Sequence, residues 1–155
     1  MTEKTIPLTP EGRDKLLKEL EELRSRRKLI AERIHHAQEL GTSQTDAEYE
    51  DAKQEQGMVE GRILEIEDIL RRAVIIDESK VQAAGRVVVG SRVEVEQDGQ
   101  VRVFRIVGAP EADPAAGKIS NESPVGRALL GHAPGDVVEV NVPKGVIKLK
   151  ILKVE

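Results

Sequence analysis

The chain has 155 residues, a formal net charge of −4, 34% charged and 39% apolar residues, two aromatic residues (Tyr49 and Phe104) and no cysteine. That length suits one domain or two small ones, and the mixture is too apolar for general disorder. The missing thiols exclude disulfides, a thiolate zinc site and a cysteine nucleophile. The opening MTEKTIPLTPEG has no apolar core, and no apolar run approaches the roughly 20 residues of a membrane span, so the expectation is a cytoplasmic protein with no membrane contact.

Two halves differ in character. Residues 1–77 carry 13 basic and 18 acidic side chains, residues 78–155 carry 11 and 10, and glycine is concentrated in the second half. The polar, small-residue stretch 77–86 (DESKVQAAGR) reads as the joint. Thr9, Pro10 and Glu11 form a helix start: a hydroxyl N-cap, proline in the first turn and an early acid. The helix is expected to reach about Leu40 and stop at Gly41. Leu16, Leu20, Leu23, Arg27, Ile30, Ile34 and Ala37 alternate in steps of four and three, a heptad stripe broken at Arg27. A second stripe runs through Tyr49, Ala52, Gln56, Val59, Ile63, Ile66, Leu70 and Ala73. Two stripes joined by a short tip predict an antiparallel coiled-coil hairpin over 1–77 with its tip at 41–48, a rod on the order of 45 Å long. The stripe fades into small and polar residues toward the tip, which favours slenderness over packing.

The second half, 78–155, reads as sheet. Residues 87–90, 92–96, 101–108, 137–142 and 146–154 are rich in β-branched residues and several alternate. Turn signals stand at Gln97-Asp98-Gly99 and Pro143-Lys144-Gly145. Ser123 followed by Pro124 starts one short helix that ends at Gly131. The fold class is therefore α+β: a helical hairpin, then a small curved sheet with one short helix.

The stretch GKISNESPVGRALLGHAPGDVVEVNVPKG, preceded by EADPAAGK, resembles the C-terminal domain of the Gre family of bacterial transcription factors. LTPEG, then AEY and the acidic and aliphatic residues up to Ile76-Asp77, resembles that family's N-terminal coiled coil. The resemblance covers nearly the whole chain. It implies a coiled coil that enters the secondary channel of bacterial RNA polymerase and an FKBP-like C-terminal domain that docks outside it. The docking segment it implies is Asn121, Glu122, Ser123 and Pro124. It also implies a monomer, indirect contact with nascent RNA, and no cofactor of its own beyond Mg²⁺ or Mn²⁺ shared at the polymerase active site.

The implied channel tip is Gly41, Thr42, Ser43, Gln44, Thr45, Asp46 and Glu48. Cleavage-stimulating members read GDLSENAEY there. Aligned on Gly41 and Ala47-Glu48-Tyr49, Thr42 and Thr45 stand where that motif has Asp and Glu, and Asp46 replaces its Asn. A neutral hydroxyl is a far weaker ligand for a hard cation than a carboxylate. The tip therefore suggests a non-cleaving, Gfh-type homologue that occupies the channel and inhibits or pauses transcription; the alternative is a cleavage stimulator that rescues backtracked polymerase. Asp46, Glu48, Glu50 and Asp51 either complement the helix dipole, the reading favoured here, or supply displaced metal ligands through Asp46 and Glu48.

Other candidates have plainer readings. His35 and His36 are adjacent on a helix, about 100° apart, and cannot chelate one ion together. Arg24, Arg26, Arg27 and Lys28 read as solvated surface with pairing along the helix, the other reading being a contact with RNA or polymerase. A prolyl isomerase needs an aromatic pocket, and the second half offers only Phe104. A dimerising scaffold would continue its stripe to the rod end. No phosphate loop or nucleophile–base pair appears, so no catalytic residue and no enzyme activity are expected.

Overall fold

A computed structural model describes residues 4–41 and 43–155, the side chains of 43–45 excepted. The elements in chain order are β1 (Ile6–Leu8), α1 (Pro10–Leu40), α2 (Ser43–Arg72), β2 (Ala73–Ile75), α3 (Glu78–Ala83), β3 (Arg92–Gln97), β4 (Gln100–Val107), β5 (Lys118–Ser120), α4 (Pro124–Leu129), β6 (Val137–Val142) and β7 (Gly145–Val154). Among the described residues no helix is long and apolar enough to cross a membrane. The fold is α+β.

The chain forms two compact units, residues 13–72 and residues 1–12 with 73–155. A cut after residue 77 does not coincide with this grouping, because β1 and β2 pair in parallel, Ile6 beside Ala73 and Leu8 beside Ile75. Ile76 N–H then donates to the Leu8 carbonyl at 2.8 Å. The ends of the helical segment are thus joined to each other by a strand pair that the heptad pattern does not announce.

Residues 13–72 are the hairpin. Leu16, Leu20, Ile30 and Ala37 are buried on α1, and Ala52, Val59, Ile63, Ile66 and Ile69 on α2. The expected stripe holds along most of its length. It shifts at the base, where Ile69 rather than Leu70 is buried and Ala73 has left the helix. A 3.6-residue helix drifts against a strict heptad, and Ala73-Val74-Ile75, with two β-branched residues, takes over as strand. Ion pairs cross from one helix to the other: Glu19 accepts from Arg62 at 2.9–3.1 Å, Arg27 lies 3.5 Å from Glu60 and Arg24 3.6 Å from Glu67. From Arg24–Glu67 through Arg27–Glu60 to Arg33–Glu55 the residue numbers rise on α1 as they fall on α2, which makes the hairpin antiparallel.

The second unit is built on a five-stranded sheet of order β5-β4-β3-β7-β6, antiparallel except for β4 with β5. Its inward face contributes Val93, Val95, Phe104, Ile106, Val138, Val140, Leu149 and Ile151 to one core, which Leu129 of α4 closes. Alternation along each strand produces this face, as period-2 geometry requires. Two expectations change. Residues 87–90 are a turn and not a strand: Val88 N–H donates to Ser91 Oγ at 2.9 Å, Ser91 N–H returns to the Val88 carbonyl at 3.0 Å, and Gly90 has φ +101. The presumed joint 77–86 contains α3, capped by Asp77, whose carboxylate accepts from Ser79 N–H at 3.0 Å. Glu78 of α3 in turn accepts from Arg105 of β4 at 2.7 Å.

Candidate functional site

Two regions carry the residues singled out from sequence, one in each unit. The first is the closed end of the hairpin. Gly41 stops α1 in the left-handed conformation at φ +60, its N–H reaching the Ala37 carbonyl at 3.3 Å. This is the backbone state that glycine adopts without steric cost. α2 begins at Ser43, so most of the expected tip 41–48 is the first turn and a half of a helix. Thr42 lies outside the described residues, as do the side chains of Ser43, Gln44 and Thr45.

Asp46 and Glu48 are both exposed. They are two residues apart on a helix and so point about 200° from one another. The structure therefore does not bring them together as a ligand pair. Asp46 shares its face with Glu50, four residues on and also exposed. Among the described residues there is no group of three or more His, Asp or Glu able to hold a metal ion. Among the described residues, Ala37 and Ala52 are the buried seam residues nearest this end, at 6% and 1% exposure, and both are small.

The basic run on α1 is better partnered than its sequence suggests. Glu55 of α2 accepts from Arg26 Nε at 2.7 Å and from Arg33 Nη1 at 2.8 Å. These contacts run across the hairpin, where pairing along α1 was expected. Hydrogen bonds from Arg26 and then Arg33 hold the Glu55 carboxyl below its ordinary value. Nothing in the one-dimensional pattern singled out Glu55; its signal is an acid flanking the α2 stripe opposite a cluster of arginines. His35 and His36 are exposed, and His35 pairs with Glu39 along the helix at 3.1 Å.

The second region is the loop 121–124 between β5 and α4. Ser123 caps α4: its Oγ accepts from Gly126 N–H at 3.1 Å and donates to the Ser120 carbonyl at 2.7 Å. Pro124 opens the helix and is exposed. Gly126 is buried, and a Cβ there would stand 2.1 Å from the Ser120 carbonyl oxygen. The loop and the first turn of α4 are thus packed backbone to backbone. Glu122 projects from the loop and forms an ion pair with Lys4. That pair, with Arg127 further off, holds the Glu122 carboxyl below its ordinary value. Asn121, Glu122, Ser123 and Pro124 are consequently brought together on one rigid turn, while the contribution of Lys4 from the chain's start was not legible beforehand.

Comparison with known proteins bears on both regions. Residues 6–75 match the family described as "Transcription elongation factor, N-terminal", and residues 82–155 match "Transcription elongation factor, GreA/GreB, C-term". Transcription elongation factor GreA of Clostridioides difficile (strain 630) is 54% identical over 155 residues, covering 97% of this chain and 96% of the relative. The protein of the same name from Chloroflexus aggregans is 52% identical over 157 residues, covering 99% of each. Among solved structures, the crystal structure of GreA factor homolog 1 from Thermus thermophilus is 34% identical and covers 98% of this chain and 99% of that one, with a TM-score of 0.48.

These relatives overturn one expectation. An inhibiting or pausing factor was read from two hydroxyls at Thr42 and Thr45, yet the proteins that match this chain end to end at about half identity carry the name of the elongation factor GreA. That reading took Asp46 and Glu48 as complements to the helix dipole in preference to displaced ligands. Asp46, Glu48, Glu50 and Asp51 all stand exposed within the few residues after Thr45. With both segments matched in order, the chain belongs to the GreA/GreB family of transcription elongation factors.

Proposed function

We propose that this protein is an elongation factor of the GreA type, which binds bacterial RNA polymerase, passes its helical hairpin into the secondary channel and stimulates the polymerase's own cleavage of backtracked RNA. One observation carries the reading: the identity of about half over the full length of relatives named transcription elongation factor GreA. The structure is compatible with it. A thin antiparallel rod gives reach, and its closed end exposes carboxylates. The rigid turn 121–124 offers a docking segment in the other unit.

The protein contributes position and charge; hydrolysis belongs to the polymerase. A divalent ion at the polymerase centre would activate water and neutralise the RNA phosphate. Asp46 is the side chain best placed to add a carboxylate oxygen there, since it lies exposed in the first turn of α2. Glu48 points away from it around the helix and acts on the channel wall or on water. The N-terminal end of α2 adds backbone N–H groups and a positive dipole end, which favours an anionic RNA backbone nearby.

The test is a time course of RNA 3′-fragment release from a backtracked elongation complex of purified bacterial polymerase. Adding the protein is expected to accelerate release strongly. No acceleration at concentrations that saturate binding would overturn the reading.

A further inference from the structure

The loop 121–124 has little backbone freedom left. Asn121 N–H donates to the Val107 carbonyl at 2.8 Å, Glu122 N–H to Ser120 Oγ at 3.0 Å and Ser123 N–H to the Ser120 carbonyl at 3.0 Å. With three consecutive donors committed, what remains to be oriented at Glu122 is its side chain. Lys4 meets it: the Lys4 Nζ pairs with Glu122 Oε1 across 118 residues of sequence. Lys4 stands two residues before β1, which is paired with β2. A Cβ on Gly108 would stand 2.1 Å from the Pro7 carbonyl oxygen, so β1 also lies tight against the residue following Val107. Val107 is the residue whose carbonyl holds Asn121. Residues 4–8, Gly108 and the loop 121–124 thus lie together.

We propose that Lys4 is a positioning residue of the docking surface: it holds the Glu122 carboxylate in one orientation, so that the loop meets a basic or hydrogen-bond-donating patch on RNA polymerase with that charge already ordered. This rests on the proposed polymerase binding. Ordering a long side chain during association costs binding free energy, and a contact that orders it beforehand removes part of that cost. The Lys4 side chain is 74% exposed and that of Glu122 44%. Water and salt screen such a pair, so its effect is small and salt-sensitive. Both side chains remain accessible to a partner.

The experiment uses the full chain and purified bacterial RNA polymerase, with labelled wild-type protein as competitor. Lys4→Ala is expected to weaken binding about two- to fivefold, Lys4→Arg to restore most of it, and Glu122→Asp to behave like Lys4→Ala because the shorter side chain loses the reach. In a Glu122→Gln background Lys4→Ala is expected to change nothing further. A carboxyl titration followed by NMR supplies a readout that folding alone does not move: the Glu122 value should rise in Lys4→Ala. Unchanged or tighter binding by Lys4→Ala, or an equal loss in both backgrounds, would overturn the inference while leaving polymerase binding intact. A wild-type chain that does not bind polymerase would sink the docking reading itself, and this inference with it.

Discussion

The carboxylate of Glu111 accepts the backbone N–H of Thr9 at 2.8 Å and also takes the Thr9 hydroxyl. Thr9 is the N-cap of α1, its Oγ1 accepting from Gly12 N–H at 3.0 Å, and it is 3% exposed. An anion therefore sits where a helix N-terminus presents unsatisfied donors, supplied by a residue more than one hundred positions away. Gly12 makes room for it, since a Cβ there would stand 2.2 Å from Glu111 Oε1.

Removing that anion leaves a buried donor without its partner. Glu111→Ala is expected to destabilise the chain by about 1–3 kcal/mol, read as a lower midpoint in urea unfolding. Gly12→Ala should displace the same carboxylate, with its loss partly offset by the better helix propensity of alanine. The double variant should then cost little more than Glu111→Ala alone. Full additivity would mean that the two positions act separately.

The hairpin's cross-helix pairs make a pH prediction. Arg26 and Arg33 lower the Glu55 carboxyl from its ordinary value of 4.5. A group whose folded value is depressed contributes stability that is full above its unfolded value and lost as pH falls through the folded one. Glu55 should therefore support the hairpin fully above about pH 4.5 and lose that support progressively below it. Carboxyl titration by NMR checks this: in Arg26→Ala/Arg33→Ala the Glu55 value should return toward 4.5, and a value that stays low would count against the pairing.

Gly126→Ala tests the loop. The new methyl would collide with the Ser120 carbonyl oxygen, which belongs to a pinned backbone and cannot swing aside as a side chain can. A cost on the order of 1–3 kcal/mol is expected, seen as a lower melting temperature. Polymerase binding should fall further than stability alone accounts for, because Ser123 and Pro124 shift with the turn.

At the hairpin end, Asp46 and Glu48 should separate. Asp46→Asn is expected to reduce stimulated RNA cleavage by roughly 100-fold, the scale of a lost electrostatic contact at a reacting centre. Glu48→Gln should cost much less, since its side chain points to the other side of α2. Polymerase affinity should be nearly unchanged in both. Equal losses would show that the face of the helix does not decide the role.

Much of this was legible along the chain because it is local. Thr9-Pro10 and Ser123-Pro124 mark helix starts through hydrogen bonds that span three residues, and Gly41 marks a helix stop through its own φ. Heptad spacing placed Ile30, Ile63 and Ile66 in the seam, since a helix turns its own residues onto one face whatever lies opposite. Alternation likewise placed Val93, Val95, Val138 and Val140 inward. The acidic end of the hairpin was visible too, but the meaning assigned to its two threonines was overturned by relatives named transcription elongation factor GreA that match the chain end to end at about half identity.

Only the tertiary structure decided the features joined across long sequence separations. β1 and β2 are three residues each, too short to show a period, and they exist because each supplies the other's backbone partners. β5 is equally short and is strand because it pairs with β4. Val87–Gly90 has strand composition yet turns: Val88 closes onto Ser91, Val87 exchanges backbone hydrogen bonds with Gly131 and His132, and Gly90 N–H donates to the Ile106 carbonyl. Glu55 between two arginines, Glu111 beneath Thr9 and Lys4 over Glu122 are ion pairs and hydrogen bonds whose partners lie 22 to 118 residues apart. A charged side chain carries no mark of its partner in sequence; the fold chooses the partner by bringing two backbones within reach of each other.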